Sequence, residues 1–389
     1  MFKEEKKIIP RSIYLDGFDT ILQSYAKENI EIDNINYEDV ENIFISINAV
    51  GDIQNYTFLA ENYPKALTTS PIPKSTLLRD IDKHSYLQVD NERKTIDTLS
   101  GEWSVELPII IPAGYTFNIS ENTTLKFNKE SFILSLGQIN FQGSTNKPII
   151  LKPQNGIKSW KGIKIIGNSE LPLSTINNVS IVDTSALFQN GWRTDAGFFA
   201  YKVSLESNNL KIINNKSEDA INLVNSHFNI TNISINNSYS DGLDVDFSTG
   251  IISGGSFNSI GKLTGGDALD FSGSIAKIYD LSISNVDDKG LSIGEKSSIY
   301  AENIDILETS IGVAIKDASS LEMVNSSISK SDNGVLAYIK KSEYAPPQAR
   351  FENIDFNLNI LDYKSHDGSR IIINNKLIQR DNLSVDLAK

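Results

Sequence analysis

The stretch "SDGLDVDFSTG" at residues 240–250 places three aspartates within six positions: Asp241, Asp244 and Asp246. The stretch "GGDALDFSGS" at residues 265–274 brings back the same frame with two more: Asp267 and Asp270. In both stretches apolar residues alternate with the aspartates, a pattern that is typical of a β-strand with one buried face. The repetition predicts that two turns of one repeating structure carry these stretches.

The same frame recurs along the chain with a nearly constant period. A small residue opens each repeat: Ala220, Gly242, Ala268, Gly290, Gly312 and Gly334. These residues are separated by intervals of 22, 26, 22, 22 and 22. An apolar residue directly follows each of them: Ile221, Leu243, Leu269, Leu291, Val313 and Val335. Such a period predicts a parallel β-solenoid, in which like residues stack one strand spacing, about 4.8 Å, apart. The longer interval predicts a loop near 261–266.

Differences in residue composition and hydrophobic patterning divide the chain into three regions. We expect an all-β fold, a right-handed parallel β-helix, over residues 101–360. A mixed N-terminal capping region at 1–100 precedes it, and a C-terminal cap or tail at 361–389 follows it. The N-terminal region combines two candidate helices, at 17–29 and 56–67, with proline-containing loops.

Composition limits the partners of the protein. The 389 residues carry a net charge of −13, which argues against nucleic acid, whose phosphates need basic partners. An acidic polysaccharide would also be repelled unless a metal bridges it to the protein or the basic residues gather in one place, so neutral sugars or a cation fit better. The chain has no cysteine and no run of 18 apolar residues, so we expect neither disulfides nor a membrane span. The first residues lack the apolar core of a signal peptide, so the protein stays inside the cell or the sequence begins after a removed segment.

Strand alternation assigns directions to the aspartates. Because Leu243 and Val245 should point into the solenoid, Asp244 and Asp246 should point outward, and Asp270 should stack on the first of them. Two such charges about 5 Å apart repel by about 3 kcal/mol at an effective dielectric of 20, and by about 1 kcal/mol in water. A bound cation, a raised pKa or nearby lysines would offset that repulsion. For the aspartates at the corners, capping of turns is an equally good explanation.

Four motifs resemble the successive active-site coils of polygalacturonases: "SDGLDV", "GGDALDF", "DKGLSIGE" and "SDNGVLAYIK". Polygalacturonases belong, with pectate lyases, to the right-handed parallel β-helix superfamily. In this resemblance Asp241 and Asp267 match the two family aspartates, and Lys316 matches the family lysine. Lys289 stands where the family has histidine, and Ala314 stands where it has arginine. The repeats also resemble uncharacterised bacterial β-helix proteins, some of them found with spore-coat-type kinase domains.

The leading hypothesis is an enzyme that cleaves a polysaccharide laid across the outward face. In a hydrolase, Asp267 would act as the acid, and Asp241 or Asp244 would activate water. In a lyase, Lys289 or Lys316 would abstract a proton. The alternative is a non-catalytic module whose acidic surface binds a glycan or a protein, because a fold alone does not decide function.

The remaining expectations concern ligands and location. Three outward carboxylates could supply the hard oxygen ligands that Ca²⁺ prefers: Asp244, Asp246 and Asp270. Three residues are candidate contacts to the glycan: Trp192, Tyr338 and Lys340. Lys340 could instead lie on a solvated edge, and the aromatic-rich insertion at 187–203 could be a packed flap. We expect a monomer, located outside the cell or at its surface, that binds a polysaccharide or oligosaccharide.

Overall fold

The computed structural model describes residues 44–48, 55–59, 81–167, 173–189, 192–262, 264–366 and 368–378. The chain divides into two units, residues 1–67 and 68–389. In the first unit, β1 (Phe44–Asn48) and β2 (Asn55–Leu59) form an antiparallel pair. The helix predicted at 56–67 is therefore wrong over its first four residues, and the rest of it lies outside the described residues. The other predicted helix, at 17–29, also lies outside them.

In the second unit the long regular elements of the described residues are strands. The first half of them comprises β3 (Leu87–Asp90), β4 (Thr95–Thr98), β5 (Gly101–Val105), β6 (Ile109–Ile111), β7 (Thr116–Ser120), β8 (Thr123–Phe127), β9 (Ile133–Ser135), β10 (Gln138–Gln142), β11 (Ile149–Pro153), β12 (Ile163–Ile166), β13 (Ser174–Val182), β14 (Leu187–Gln189), β15 (Trp192–Thr194) and β16 (Ala196–Tyr201). The second half comprises β17 (Ser204–Asn215), β18 (Asp219–Val224), β19 (His227–Ser238), β20 (Leu243–Asp246), β21 (Thr249–Ile260), β22 (Leu269–Ser272), β23 (Ile275–Gly294), β24 (Ser298–Lys316), β25 (Ser320–Ser329), β26 (Asn333–Tyr338), β27 (Gln348–Asn357), β28 (Leu361–Ser365), β29 (Arg370–Ile373) and β30 (Lys376–Leu377).

These strands wind into a parallel β-solenoid of about 12 turns, as the 22-residue period predicts. Parallel pairing begins at β4 and ends at β29, where Gln348–Phe351 of β27 pairs with it. One face consists of β18, β20 and β22, the last residues of β23 and β24, and then β26, each paired in parallel with the next. We call this face the site sheet.

The interior of the solenoid is a stack of apolar columns. The five residues predicted to form one buried column pair in register from coil to coil and are fully buried: Leu243, Leu269, Leu291, Val313 and Val335. This prediction is confirmed. Burying each such side chain contributes about 1.5–3 kcal/mol. Because one coil cannot bury its own apolar face, stability depends on stacking, and the stack fixes where each outward side chain lies.

A ladder of serines fixes the turn after the site sheet. Five serines occupy equivalent positions: Ser226, Ser248, Ser274, Ser297 and Ser319. The N–H of Ser248 donates to the hydroxyl oxygen of Ser274 at 3.0 Å, and the same bond joins the other neighbours. Sequence reasoning missed this ladder, although its intervals of 22, 26, 23 and 22 nearly match those of the small residues. It satisfies buried N–H groups that the turn would otherwise leave without partners.

Two irregular segments interrupt the coils. The aromatic-rich insertion predicted at 187–203 is smaller than expected: β14 and β15 form an antiparallel hairpin, whereas β16 is an ordinary strand of the solenoid. The loop predicted at 261–266 is present as a turn between β21 and β22. Within the described part of the chain, no helix has the length and apolar character needed to cross a membrane.

Candidate functional site

Six aspartates gather on and beside the outward side of the site sheet: Asp219, Asp241, Asp244, Asp246, Asp267 and Asp270. We call this group the acidic face. Asp244 pairs in register with Asp270 on the following coil and with Asn222 on the preceding coil. The apolar residues between them point into the core, so the predicted outward direction of Asp244, Asp246 and Asp270 is confirmed. Their predicted exposure is correct only in part, since all three are half-buried.

Asp241 and Asp267 serve the backbone of the next coil. A carboxylate oxygen of Asp241 accepts the N–H of Asp267 at 2.8 Å, and a carboxylate oxygen of Asp267 accepts the N–H of Lys289 at 3.0 Å. Burial raises the pKa of Asp241 to about 6. Turn capping, the alternative left open for the corner aspartates, therefore describes part of what these two residues do.

Lys289 closes one end of the acidic face with a buried ion pair. Its Nζ lies 3.2 Å from the Oδ1 of Asp267 and also contacts Asp288. The lysine and Asp267 side chains are only 11% and 7% exposed. Burial raises the pKa of Asp267 to about 7, and the lysine opposes that rise. Burial alone would lower the pKa of Lys289, but the two carboxylates outweigh it and hold that pKa above its usual value.

The environments of Asp219 and Asp244 both strongly disfavour ionisation, because burial and neighbouring carboxylates raise both pKa values. The Nδ2 of Asn222 donates to Asp244 at 2.6 Å and to Asp246 at 3.2 Å. Burial, followed by the charges of Asp246, Asp270 and Asp241, raises the pKa of Asp244 to about 9. Asp244 therefore holds a proton at neutral pH, as a general acid must.

Asp270, one strand spacing away, has a different environment. Its Oδ1 is buried without a hydrogen-bond partner among the described residues, although the side chain as a whole is 25% exposed. The Nζ of Lys316 lies 4.0 Å from this oxygen and instead donates to the hydroxyl of Ser292 at 2.7 Å. An unpartnered buried oxygen is costly, which marks this place as one where a ligand hydroxyl could bind.

A loop at 339–347 forms one rim of the site. The Oδ1 of buried Asp317 accepts the N–H groups of Lys340 and Lys341 at 2.7 and 2.8 Å. The Nζ of Lys341 contacts Glu295, which also accepts the hydroxyl of Ser272 at 2.8 Å. Sequence reasoning missed Glu295 and Asp317, which stand directly after outward strand positions, where the repeat could have revealed them.

The opposite end of the same face is apolar. Hairpin β14–β15 places Leu187 and half-buried Trp192 against a small cluster with Phe132 and Leu134. Beside them, fully buried Lys164 donates to the carbonyls of Ala196 and Gly197 at 2.5 and 3.3 Å. Burial lowers the pKa of Lys164 to about 7.

The structure brings the six predicted catalytic residues together, with Tyr338 in register beside Lys316 and with Trp192 in the hairpin away from them. Asp241, Asp244, Asp267, Asp270, Lys289 and Lys316 lie on neighbouring coils of one face. Trp192 packs in the flap, as its alternative held, and Tyr338 is buried beside Ala314 and Leu336. Lys340 is exposed on the rim loop.

The calcium site stays a prediction without geometric support. In the described ranges, no group of three or more histidine, aspartate or glutamate side chains is arranged so that it could hold a metal ion. The predicted ligands Asp244 and Asp246 instead share the amide of Asn222, and Asp244 retains its proton. A cation would have to displace both the amide of Asn222 and the proton of Asp244.

Comparison with known proteins adds a set of distant structural likenesses. No protein-family model matches the sequence, and a search of curated proteins found no match. The fold is similar to the catalytic domain of a point variant of a GH87 α-1,3-glucanase in complex with nigerose, with 13% identity over 66% of this chain and 63% of that one, at a TM-score of 0.38. This chain thus spans less than two thirds of that domain.

Two further solved structures are similar in the same way. An alginate lyase from a Paenibacillus species shows 11% identity over 67% of this chain and 89% of that one, with a TM-score of 0.37. A mutant of the periplasmic alginate epimerase AlgG shows 12% identity over 74% of this chain and 80% of that one, with a TM-score of 0.43. These values are too low to support a function, and the fold rests on the strand pairing described above.

Proposed function

We propose that the protein is a polysaccharide-processing enzyme, a glycoside hydrolase whose substrate lies across the acidic face. The observation that carries this proposal is the stacked pair of Asp244 and Asp270. One member holds a proton at neutral pH, whereas the other has a lysine 4.0 Å from an unpartnered oxygen. Two carboxyl groups in such unlike environments are the usual arrangement for an acid and its partner in glycoside hydrolysis.

The spacing of the pair favours a retaining mechanism. Cα partners on adjacent parallel strands are about 4.8 Å apart, and retaining glycosidases hold their carboxyl groups about 5–5.5 Å apart. Asp244 would protonate the glycosidic oxygen while Asp270 attacks the anomeric carbon, which releases the leaving sugar as an alcohol. Water would then attack the resulting ester, giving its proton to Asp244 and freeing Asp270. Lys316 would stabilise the carboxylate before attack and after release.

The contacts change the roles expected for the other residues. The Nζ and the backbone N–H of Lys289 both donate to the carboxylate of Asp267. This aspartate therefore positions the face rather than donating a proton. The raised pKa of Lys289 opposes its use as the base of an elimination reaction. These contacts favour hydrolysis over lyase chemistry.

The test is a screen of polysaccharides for new reducing ends and for unsaturated products. We expect reducing ends alone, and a loss of at least about 100-fold in Asp244→Asn and Asp270→Asn. Asp305→Asn, an exposed aspartate on another face, is the matched control and should retain full activity. Activity should fall as the pH rises through about 9, where Asp244 loses its proton. Unsaturated products would indicate a lyase, and an active Asp244→Asn variant would remove the proposed acid.

A second function, non-catalytic glycan or protein binding, is favoured by one observation. The carboxylates of Asp241 and Asp267 accept backbone N–H groups of the next coil, so part of the acidic face stabilises the fold. A polymer that binds without any product, equally well in wild type and in both variants, would support this function. In either case we propose a location outside the cell or at its surface, where such polymers are met.

A further inference from the structure

In the turn that follows the site sheet, the residue directly after the last outward strand position is in the left-handed region in successive coils. These residues are Lys202 (φ 53°), Asn225 (φ 49°), Phe247 (φ 48°), Gly273 (φ 62°), Glu295 (φ 52°) and Asp317 (φ 53°). Glycine and asparagine adopt this conformation readily, whereas a bulky side chain adopts it at a cost. Phe247 is the only apolar side chain at this position, although Lys296 (φ 65°) and Ala318 (φ 61°), one residue further on in the last two coils, are left-handed as well.

The ring of Phe247 lies at the edge of the acidic face and is open to solvent. The residue directly follows Asp246, and its N–H donates to the carbonyl of Ser272 at 2.8 Å. A Cβ built on Gly273 would lie 2.7 and 2.8 Å from two atoms of the ring, so the ring occupies the space that this glycine leaves free. Yet 64% of Phe247 remains exposed, so burial does not repay the unfavourable backbone conformation.

Three lysines near the acidic face already have partners, whereas Lys340 is exposed on the rim loop. Lys289 pairs with Asp267, Lys316 donates to Ser292 near Asp270, and Lys341 contacts Glu295. A uronic acid polymer would bring further negative charge to a face with six aspartates, and these lysines could meet it only by leaving their partners. The charge balance therefore favours a substrate without carboxylates.

We propose that the acidic face takes a neutral pyranose polymer and that Phe247 stacks on the apolar side of one of its sugar rings. This inference rests on the proposed function and deepens it by naming the substrate class and a substrate-binding residue. An exposed aromatic ring beside hydrogen-bonding carboxylates provides both an apolar contact and partners for sugar hydroxyls. The solvent-exposed ring and the glycine beneath it then have a common explanation.

The experiment compares three variants of the full chain with wild type on named polymers. The neutral probes are a glucan, a mannan and a xylan, and the anionic probes are polygalacturonate and alginate. We measure dissociation constants by affinity electrophoresis, and KM and kcat for any polymer that is cleaved. Phe247→Asn should weaken binding and raise KM about tenfold with kcat within about twofold, because it removes the stacked ring but leaves the carboxylates.

Two variants separate stacking from effects on the fold. Leu358 is also apolar, exposed and left-handed (φ 59°), but lies after β27, away from the site sheet. Leu358→Asn should therefore bind as wild type does, while both asparagine variants melt at or above the wild-type temperature. Phe247→Tyr keeps the ring and should keep the affinity.

The outcomes also distinguish this inference from the proposed hydrolysis. Tighter binding of polygalacturonate or alginate than of every neutral polymer would overturn it, as would wild-type affinity in Phe247→Asn. Cleavage that depends on Asp244 but not on Phe247 would leave hydrolysis standing and this inference overturned. Phe247-dependent binding of a neutral polymer without cleavage would support the inference and reject hydrolysis. If none of the five polymers binds, the inference is overturned.

Discussion

The inward and outward positions of the same strands follow different rules. The inward position is apolar in every coil of the site sheet, from Leu243 to Val335. The outward position beside it varies in character along the stack: Asn222, Asp244, Asp270, Ser292, Ala314 and Leu336. Stacking of the core fixes the backbone, so the outward side chains can vary without altering the fold. The inward column therefore determines stability, whereas the outward column is free to carry chemistry.

The largest expected effect on stability comes from creating a cavity in the inward column. Phe271 is fully buried between coils, and Phe271→Ala should lower the free energy of unfolding by about 3–5 kcal/mol. Urea denaturation measures this change, and Lys277→Ala, at an exposed strand position, should shift stability by less than about 0.5 kcal/mol. A loss below about 1 kcal/mol for Phe271→Ala would mean that the column repacks, and the contrast between the two positions would weaken.

The next effect breaks the buried ion pair at the end of the acidic face. Lys289→Met should cost about 3 kcal/mol at pH 8, because it leaves Asp267 buried without its cation. Without the lysine, the folded-state pKa of Asp267 lies further above its unfolded value. The folded variant therefore binds a proton on Asp267 at a higher pH than wild type does. The cost should therefore shrink as the pH falls towards 5. Denaturation at both pH values measures it.

A double variant serves as the control for that experiment. Asp267→Asn combined with Lys289→Met removes both charges and should recover most of the lost stability. Equal costs for the single and double variants at pH 8 would show that the lysine acts through packing rather than charge.

A smaller effect of opposite sign is expected on the outward column. The pKa of Asp244 is raised from 3.8 to about 9 on folding, so the folded state binds more protons between these values and wild-type stability falls as the pH rises. Asp244→Asn stays neutral and can still accept from Asn222. By linkage the full shift corresponds to about 7 kcal/mol, but partial exposure and sharing of the proton with neighbouring carboxylates reduce it, so this variant should match wild type near pH 4 and exceed it by about 1–2 kcal/mol at pH 9. A variant less stable than wild type at pH 9 would show that this charge stabilises the fold.

The sequence predicts the inward column well because periodicity alone specifies it. The spacing of Gly242, Ala268 and Gly290 determines the register, and the register determines which residues are buried. A Cβ on Gly312 would lie 2.6 Å from the carbonyl oxygen of Gly334, which explains why this corner stays small. The sequence does not show where the hairpin of β14 and β15 ends. Phe198 and its neighbours are also aromatic, but they belong to β16, which is a strand of the solenoid.

The site is only partly predictable because its chemistry depends on burial and on contacts between coils. Alternation places Asp244 over Asp270, but it does not reveal that Lys289 is committed to Asp267. Nor does it reveal the anchoring of the 339–347 loop by Asp317, which joins residues 23 and 24 positions apart. Differences in burial between neighbouring carboxyl groups arise from these contacts, and a repeat pattern does not contain them.

The smallest expected effect is that of calcium on the outward column. Protonated Asp244 and the shared amide of Asn222 both oppose metal binding at pH 7, so the melting temperature should change little. Even a dissociation constant of about 10 mM would add only about 0.2 kcal/mol at about 5 mM calcium. The measurement is a thermal melt with and without calcium, with magnesium as the control for ionic strength. A rise with calcium that vanishes in Asp244→Asn combined with Asp270→Asn would restore the metal site, because only bound cations link melting to these carboxylates.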